Sequence, residues 1–450
     1  MVKYQAYAEY KDSGVQWIGN IPKDWKFLRG KWKFKSLKEV NRDLQCMDRL
    51  ALTMNGVIER SIDSDEGLQP AEFSGYQIFE KDDLVFKLID LENFKTSRVG
   101  LVFKRGIMSP AYIRLKPFVG TDSKFFYYFY FDLYLRGVYN QIGGQGVRSA
   151  LNATDLLEIE VCIPSLSEQK LIANFLDHET TKIDHLIEKQ KQLIELLKEK
   201  RQAVISHAVT KGLNPNVPMK DSGVEWLGEV PEHWEIKQNK YLLEFVTSGS
   251  RGWAQYYADT GSLFFRIANL TRDTIEPKLE SIQYVEPPKG SEGERSKIKI
   301  NDLLISITAD LGSVCVADAS IKDGYVSQHV ALCRPIKICV SRWLAYFILS
   351  DCAKEQFLGS GYGGTKIQLS LEDIKELIIA VPPRNEQLQI SEYIDEKLTQ
   401  YEHLICQAEK LIGTLQERRT ALISAAVTGK IDVRNWQAPT VAEADTELSA

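Results

Sequence analysis

Residues 164–212 read PSLSEQKLIANFLDHETTKIDHLIEKQKQLIELLKEKRQAVISHAVTKG, and residues 382–430 repeat this stretch as PPRNEQLQISEYIDEKLTQYEHLICQAEKLIGTLQERRTALISAAVTGK. The two copies align without a gap at a constant offset of 218 residues, which places Arg201 on Arg419. A repeat of this length is interpreted before any local motif, because it determines how the whole chain is organised. The sequence therefore predicts one arrangement that is built twice.

Each copy has the pattern of one long helix. Ser167 or Asn385 follows a proline where an N-cap is expected, and Gly212 or Gly429 stands where the helix would end. Between these signals, apolar residues recur on a heptad among lysine, glutamate and glutamine. The predicted coiled-coil seam consists of Leu176, Ile183, Leu186, Leu193, Leu197 and Val204 in the first copy and Ile394, Tyr401, Leu404, Leu411, Leu415 and Leu422 in the second.

Two apolar seams in one chain favour a two-stranded coiled coil, because either helix alone would leave an apolar edge in water. The alternative is a pair of surface helices, each of which lies on its own domain. Roughly forty residues make a rod of about 60 Å at ~1.5 Å per residue, which is longer than a small domain is wide. This length favours the coiled coil.

Length and composition limit the class of protein. At 450 residues the chain is too long for one core, so two or three domains are expected. The seven cysteines form no CxxC pair, so we expect neither a disulfide framework nor a metal site. Without a membrane-length apolar run or a signal-peptide pattern, we expect a cytoplasmic location and no membrane partner. The net charge of −5 means that any DNA binding must use local basic surface.

A second repeated segment stands before each domain body. Residues 11–25, KDSGVQWIGNIPKDW, return as residues 220–234, KDSGVEWLGEVPEHW, with Trp17 on Trp226 and Trp25 on Trp234. We expect these tryptophans to be packing anchors at a domain edge, and the alternative is that they stack on bases.

The two domain bodies share an order of elements but differ in their residues. Short alternating apolar runs predict strands, and the apolar runs 125–134 and 343–349 predict buried helices. The second body is longer between the positions that correspond to Phe34 and about Asp83. A shared frame with different interiors favours two readers of different targets. The predicted divisions are 1–163 and 214–381 for the two domains, 164–213 and 382–431 for the two helices, and 432–450 for a disordered tail.

The sequence contains no convincing catalytic motif. Gly364-Thr365-Lys366 reverses the order of lysine and hydroxyl residue in a phosphate-binding loop. There is no G-x-S-x-G, no H-E-x-x-H and no Asn-Pro-Pro-aromatic motif. We therefore expect that this chain is not an enzyme.

Basic residues beside glycine and aromatic residues are better represented. Arginine and lysine on loops suit phosphate contacts, and arginine can read guanine bidentately. Arg148 and Lys366 occupy the same place in two glycine-rich loops, where backbone N–H groups can also approach phosphate. The candidate DNA-binding residues are Lys33, Lys35, Arg98, Lys104, Arg105, Gly144, Gly146 and Arg148 in the first body, and Arg251, Arg266, Arg272, Lys297, Gly363, Gly364 and Lys366 in the second. Arg114 is a further basic residue of the first body.

These features together resemble the DNA-specificity subunits of type I restriction-modification systems. The resemblance spans about residues 11–430 and rests on the opening segments, on the Glu-Gln pair that starts each long helix and on the Val-Thr pair near each helix end. It implies an α+β fold with two similar α/β target-recognition domains, separated by two long helices that pair as an antiparallel coiled coil.

The resemblance also implies a function and partners. Each recognition domain would read one half of a split site in double-stranded DNA, and the paired helices would set the gap between the halves. Two methyltransferase subunits that use S-adenosylmethionine would dock on this chain, and two restriction-translocase subunits that use ATP and Mg²⁺ could join them. None of these cofactors is expected in this chain itself. The alternative is a non-catalytic coiled-coil scaffold with two protein-binding domains, which the matched basic loops disfavour.

Overall fold

The computed structural model describes residues 4–53, 56–62, 72–89, 91, 98–142, 150–287, 290–359 and 368–437. The chain forms two compact units. Unit 1 is residues 1–190 together with 409–450, and unit 2 is residues 191–408. Each unit therefore contains one domain body and half of each long helix.

The described helices and strands follow the order of the repeat. The helices are α1 (Ser123–Leu135), α2 (Val138–Ile142), α3 (Ala153–Glu158), α4 (Leu166–Lys211), α5 (Ser291–Ser296), α6 (Ser341–Leu349), α7 (Asp351–Gly359), α8 (Leu371–Glu376) and α9 (Arg384–Val427). The strands of unit 1 are β1 (Tyr10–Asp12), β2 (Asn20–Pro22), β3 (Lys26–Arg29), β4 (Phe34–Ser36), β5 (Leu50–Thr53), β6 (Gly56–Glu59), β7 (Gln77–Phe79), β8 (Leu84–Lys87), β9 (Arg98–Leu101), β10 (Gly106–Met108), β11 (Ile113–Pro117) and β12 (Glu160–Ile163). The strands of unit 2 are β13 (Met219–Asp221), β14 (Glu229–Pro231), β15 (Glu235–Gln238), β16 (Leu243–Ser248), β17 (Tyr257–Ala258), β18 (Ser262–Phe265), β19 (Tyr284–Val285), β20 (Leu303–Ser306), β21 (Val314–Val316), β22 (Tyr325–Val326), β23 (Val330–Pro335) and β24 (Ile378–Val381).

Each unit is built on a four-stranded antiparallel sheet with the same strand order. The order is β4-β11-β8-β9 in unit 1 and β16-β23-β20-β21 in unit 2. A two-stranded pair, β3 with β12 or β15 with β24, joins the start of each body to the strand that leads into a long helix. The prediction of two similar α/β domains is therefore confirmed.

The units differ beside this main sheet. Unit 1 has the small pairs β5-β6 and β7-β10. Unit 2 has a second four-stranded sheet, β17-β19-β18-β22, in which β18 and β22 run parallel. Three strands of this second sheet lie in the stretch where the second copy of the sequence is longer. In unit 1 a parallel bridge between Arg49 and Ile107 stands where β18 pairs with β22 in unit 2, so the additional residues enlarge an arrangement that both units have.

The apolar runs predicted as buried helices form α1 and α6. Asp122 caps α1 by accepting a hydrogen bond from the backbone N–H of Phe125 (2.9 Å). Phe125 and Phe129 are completely buried in the core of unit 1, and Trp343 and Phe347 of α6 are completely buried in the core of unit 2. Both helix predictions are confirmed, because apolar side chains surround these helices on most sides.

The long helices pair antiparallel within each unit. Helix α4 has 46 residues and α9 has 44 residues. Unit 1 contains the first half of α4 and the second half of α9, and Ile187 shares a core with Leu415. Arg419 donates two hydrogen bonds to the carboxylate of Asp184. Nε donates to Oδ1 at 2.8 Å, and Nη2 donates to Oδ2 at 3.1 Å. Unit 2 contains the second half of α4 and the first half of α9, and residues of both share one core.

The buried stripe of each helix differs from the predicted seam. Six predicted seam residues are buried, namely Leu176, Ile183, Leu197, Ile394, Leu415 and Leu422. Two are half-buried, namely Val204 and Tyr401. Four are 42–46% exposed, and their assignment to the seam is wrong: Leu186, Leu193, Leu404 and Leu411. Each of these four leucines directly precedes an isoleucine that is more buried, namely Ile187, Ile194, Ile405 and Ile412. The isoleucine continues the three-and-four spacing of the heptad, so it faces inward.

The Glu-Gln pair at the start of each long helix fastens the domain body to the helix. The indole N–H of Trp25 donates to Glu168 (3.1 Å), and that of Trp234 donates to Glu386 (2.9 Å). The following glutamine accepts a backbone N–H from the segment before α1 or α6, at 3.0 and 2.8 Å. Trp25 and Trp234 are only 1% exposed, so they are packing anchors and do not stack on bases. Trp17 is half-buried and Trp226 is 39% exposed, so burial does not decide their role.

Residues 432–437 pack against unit 1, so the predicted disorder is wrong for this segment. The backbone N–H of Asp432 donates to the carbonyl of Gln5 (2.7 Å), and Val433 is buried. The ring of Trp436 lies edge-on to Phe175 at 5.7 Å between centroids. Apolar side chains at positions 433 and 436 provide the burial that holds this segment. The rest of the predicted tail, residues 438–450, lies outside the described residues.

Candidate nucleic-acid interface

Basic residues occupy both edges of the main sheet in unit 1. Lys33 follows a short 3₁₀ turn and Lys35 lies in β4, while Arg98 begins β9 at the opposite edge. Lys35 is exposed and Lys33 is half-buried, and neither forms an ion pair with a described residue. Burial lowers the pKa of Lys33, and the nearby charge of Lys26 acts in the same direction. Both lysines are therefore available to an incoming anion.

The loop between β9 and β10 holds its two cations against carboxylates. Lys104 lies 2.9 Å from Glu59 and 3.4 Å from Asp48. Arg105 lies 3.3 Å from Glu80. The hydrogen bond to Glu59 is the main cause that raises the pKa of Lys104. Because exposed ion pairs contribute little to stability, these cations can reach a phosphate by exchanging partners.

Arg114 is not available to DNA, so its place among the basic surface residues is wrong. Its side chain is 0% exposed, and Nε donates to Asp83 at 2.5 Å. Nη1 donates to the carbonyl of Ile78 at 2.6 Å. Burial raises the pKa of Asp83, and Arg114 acts in the opposite direction. Arg114 is a structural residue because β11 directs it into the domain toward this aspartate.

Two of the candidate cations in unit 2 are also paired. Arg272 lies 2.6 Å from Asp310, and Lys297 lies 3.1 Å from Asp323. Arg251 is exposed in the loop that follows β16 and forms no ion pair with a described residue. Arg251, like Lys35 of unit 1, is therefore available to bind an incoming anion such as phosphate.

Arg266 lies in a cleft of unit 2, which we call the unit 2 cleft. The cleft has a volume of about 300 Å³. It is lined by Ser250, Gly252, Trp253, Ala254, Tyr257, Phe264, Arg266, Ile267, Ala268, Ser327, Gln328 and His329. Nη2 of Arg266 donates to Ser281 at 3.3 Å, but its buried Nε has no acceptor among the described residues. The buried hydroxyl of Ser327 has no partner there either.

The second sheet of unit 2 brings the walls of this cleft together. Strands β18 and β22 pair in parallel, with Phe265 opposite Val326. The backbone N–H of Ser327 then donates to the carbonyl of Phe265 at 2.9 Å, which places Ser327 beside Arg266. The ring of Trp253 stacks on Phe264 at 5.8 Å between centroids and an angle of 16°. The cleft therefore combines an aromatic wall with polar atoms that lack partners among the described residues.

Sequence reasoning identified Arg266 but missed the cleft around it. The run Arg251-Gly252-Trp253 was the available signal, because a tryptophan beside glycine and arginine marks a binding loop. No local pattern links Ser327 or His329 to Arg266, because the pairing of β18 with β22 joins parts of the chain that are far apart in sequence.

The structure leaves the predicted glycine loops undecided. Gly144, Gly146 and Arg148 lie outside the described residues, as do Gly363, Gly364 and Lys366. Their assignment to DNA binding stays a prediction.

Comparisons with known proteins agree on one family. The family model described as "Type I restriction modification DNA specificity domain" matches residues 30–196 and 288–404 of the chain. These two segments cover more than half of the sequence and fall on both copies of the repeat. The chain belongs to this family.

Curated specificity subunits resemble the chain over about two thirds of its length. The putative type I restriction enzyme MjaX specificity subunit of Methanocaldococcus jannaschii is 24% identical over 68% of this chain and 68% of its own. The type I restriction enzyme EcoBI specificity subunit of Escherichia coli is 21% identical over 70% of this chain and 67% of its own. As a specificity subunit, the chain is a non-catalytic component that supplies DNA sequence specificity.

Two solved structures share the fold. A chain from a structure of complex assembly and conformational transition of the type I R-M system superposes with a TM-score of 0.69, at 14% identity over 90% of this chain and 98% of that chain. The HsdS subunit from Thermoanaerobacter tengcongensis superposes with a TM-score of 0.52, at 14% identity over 91% of this chain and 98% of that one. The specificity subunit described here thus has the fold of these proteins along most of its length.

Two further kinds of feature are absent from the described residues. Among the described residues, no helix is long and apolar enough to cross a membrane. The same residues contain no group of three or more His, Cys, Asp or Glu side chains placed to hold a metal ion.

Proposed function

We propose that this specificity subunit reads a bipartite target in double-stranded DNA, with each unit reading one half. The observation that carries this proposal is the duplication of the frame. Both units have the same order of strands in the main sheet and the same hydrogen bond from a tryptophan indole to the first glutamate of a long helix. The smaller sheets beside the main sheet differ in their strands. A subunit that reads two unlike half-sites requires this combination of a constant frame and variable reading surfaces.

We also propose that two methyltransferase subunits dock on the long helices, and that two restriction-translocase subunits can join them. Support comes from leucines that α4 and α9 leave exposed. These are Leu186, Leu193 and Leu196 of α4 and Leu404 and Leu411 of α9. Exposed apolar residues that recur on helices are typical of surfaces that another protein covers. In this arrangement S-adenosylmethionine, ATP and Mg²⁺ bind to the partner subunits and not to this chain.

Methylome sequencing tests the bipartite reading. N6-methyladenine is mapped in a host with and without this chain, with the methyltransferase partner present in both. We expect a split motif that disappears when the chain is deleted. Residues 35–156 are then exchanged for those of another specificity subunit, and the matched control exchanges the equivalent body of unit 2. Each exchange should change one half of the motif and leave the other half unchanged. A change of both halves by either exchange would contradict modular reading.

Copurification tests the docking surface. Leu193→Glu and Leu411→Glu place a charge on an exposed leucine of each long helix, whereas Lys191→Glu changes an exposed polar position of α4 as the control. We expect both leucine variants to lose the methyltransferase partner and the control to retain it. Retention of the partner by both leucine variants would show that docking does not use these leucines.

The free chain should bind DNA weakly. Its net charge is −5, and Lys104, Arg105, Arg272 and Lys297 are already paired with carboxylates. We expect the assembled complex to supply most of the phosphate contacts, and hence the strong dependence of affinity on salt. Equal affinity and equal salt dependence for the free chain and the complex would contradict this part of the proposal.

A further inference from the structure

The unit 2 cleft contains two polar atoms whose hydrogen-bonding capacity is unused. Arg266 Nε and Ser327 Oγ are both shielded from water and have no partner among the described residues. Ser327 as a residue is only 6% exposed. A buried donor without an acceptor is energetically costly, and buried polar groups are almost always paired. Two such atoms in one cleft therefore indicate a ligand that supplies acceptors.

The lining of the cleft indicates the kind of ligand. None of the residues that line it carries a carboxylate, so Arg266 is not neutralised there as Arg272 is by Asp310. Trp253 and Phe264 form a stacked, buried wall, and Tyr257 is 45% exposed at the side. An apolar aromatic wall suits a flat ring better than a strongly hydrated phosphate. The geometry and the charge together favour a heterocyclic base with acceptors on its edge.

Guanine is the base whose edge fits these donors. In the major groove guanine presents two acceptors, N7 and O6, whereas adenine presents an acceptor beside an N6 donor. The donors of an arginine pair with both acceptors of guanine, but they would meet the amino group of adenine. The Ser327 hydroxyl can donate to the same edge or to a neighbouring base.

We propose that the unit 2 cleft receives the major-groove edge of a guanine in the half-site read by unit 2. Arg266 is the specificity-determining residue and Ser327 is a second contact. Both atoms are shielded from water in the free chain, so the cleft has to open when the base edge enters. Unit 1 has a parallel bridge between Arg49 and Ile107 where unit 2 pairs β18 with β22. Ala51 stands two residues after Arg49, whereas Arg266 stands two residues after Phe264, so this reading mode belongs to unit 2. The inference rests on the proposed bipartite reading.

The first test uses the methylome of hosts that carry Arg266→Lys, Arg266→Ala or Ser327→Ala, together with the methyltransferase partner. Arg266→Lys keeps the positive charge but loses the paired donors of the guanidinium group. It therefore distinguishes hydrogen bonding to the base from electrostatic attraction to DNA. The control is Lys375→Ala, which removes a half-buried cation of unit 2 that lies outside the cleft and is paired with Glu372. We expect the Arg266 variants to accept other bases at one guanine of the unit 2 half, with discrimination reduced by roughly 5- to 150-fold. The unit 1 half and the control should be unchanged.

The second test measures binding of the assembled complex to duplexes with a modified guanine at that position. 7-Deazaguanine lacks the N7 acceptor, whereas inosine keeps N7 and O6. We expect 7-deazaguanine to weaken binding by wild-type protein at least 5-fold. Inosine should bind like guanine, and the Arg266→Ala variant should not distinguish the three bases. Binding of 7-deazaguanine as tightly as guanine by wild-type protein would overturn the proposal.

The two proposals fail in different ways. If wild-type protein gives no split motif, the bipartite reading itself is wrong. If wild-type protein gives a split motif, but the Arg266 variants retain every base preference while they assemble and methylate normally, only the guanine site is wrong. A variant that fails to assemble is recognised by loss of copurification, and Ser327→Ala together with the base analogues on wild-type protein then decides the question.

Discussion

Units 1 and 2 each place a buried aspartate at the start of a central strand of the main sheet, and each neutralises it with a different arginine. A turn with a left-handed residue, Asp82 or Asn301, precedes the first central strand of each main sheet. The next residue is an aspartate that accepts a backbone N–H from three residues earlier, at 2.7 Å for Asp83 and 2.8 Å for Asp302. Asparagine and aspartate tolerate the left-handed conformation better than most residues. The turn therefore belongs to the shared frame.

The partners of these two aspartates belong to the divergent interior. Asp83 is paired with Arg114, whose side chain is 0% exposed. Asp302 is paired with Arg334, which forks onto it at 2.8 and 2.7 Å and is 20% exposed. The two arginines are at different positions of β11 and β23, yet each reaches the aspartate of its own unit. The turn and strands that both units share place an aspartate at the same position in each. The residues that differ between the units determine which arginine neutralises that aspartate and how deeply the pair is buried.

Removal of these aspartates should give the largest difference between the units. Asp83→Ala leaves a buried arginine without its partner, which we expect to destabilise unit 1 by about 3–5 kcal/mol. Asp302→Ala should have a smaller effect, because water can reach Arg334. Hydrogen–deuterium exchange of β8 and β20 in the full chain measures both losses in their own units. Equal loss of protection in β8 and β20 would show that the burial of the arginine does not decide the cost.

The second expected effect concerns the helices. Ile187→Ala in unit 1 and Ile194→Ala in unit 2 each remove a buried side chain, which should cost about 2–5 kcal/mol. Leu186→Ala and Leu193→Ala are the matched controls one residue earlier, and we expect each to stay within about 0.5 kcal/mol. Denaturant unfolding of the full chain, followed by exchange at the neighbouring helical amides, gives these values. A larger loss from the leucines than from the isoleucines would restore the original heptad assignment.

These helices show how far a sequence can be interpreted. The repeat and the apolar runs predict both long helices and the aromatic helix α1. The predicted N-caps Ser167 and Asn385 are wrong, because α4 begins at Leu166 and α9 begins at Arg384, one residue before each. The seam is misassigned at four leucines because Leu-Ile pairs offer two apolar residues side by side, and periodicity alone cannot choose between them. Only the packing of one helix on the other identifies the isoleucine as the inward residue.

The candidate site was harder to predict than the fold. In the strand Ile113-Arg114-Leu115-Lys116, alternation places Arg114 and Lys116 on one face, and nothing nearby in the sequence shows that Arg114 is buried. Its partner Asp83 is on another strand. In the same way, Ser327 reaches Arg266 only through the pairing of β18 with β22. The sequence shows which residues are charged. Whether a charged residue is paired, or lies in a cleft, depends on contacts between residues that are distant in sequence.

The third expected effect concerns the hydrogen bond from tryptophan to glutamate, which both units share. Trp25→Phe and Trp234→Phe keep an aromatic ring but remove the N–H that donates to Glu168 or Glu386. A hydrogen bond to a charged group contributes roughly 1.5–3 kcal/mol, so we expect a similar loss in each unit. Exchange at the first turns of α4 and α9 measures it. A difference of more than about 1 kcal/mol between the units would show that the second partner of each glutamate, Tyr7 or His233, matters more than the indole.

The smallest expected effect concerns two arginines that the repeat aligns and that bind different partners. Arg419 forks onto Asp184 of the other long helix, whereas Arg201 donates to Asp273 in the body of unit 2 at 2.8 Å. Asp273 is 71% exposed, so we expect Asp273→Asn to cost about 0.2–1 kcal/mol at pH 7. Asp184→Asn should cost a similar amount in unit 1, because Asp184 is 53% exposed.

The dependence of this cost on pH follows from the carboxylate. The hydrogen bond from Arg201 lowers the pKa of Asp273 in the folded chain, with partial burial acting in the opposite direction. A carboxyl group whose folded pKa lies below its unfolded value, about 3.9, stabilises the fold above that value. This contribution disappears as the pH falls through the folded pKa. The difference in unfolding free energy between wild type and Asp273→Asn should therefore be constant from pH 7 to about pH 5 and shrink at lower pH. A difference that grows on acidification would mean that Arg201 does not stabilise the ionised form.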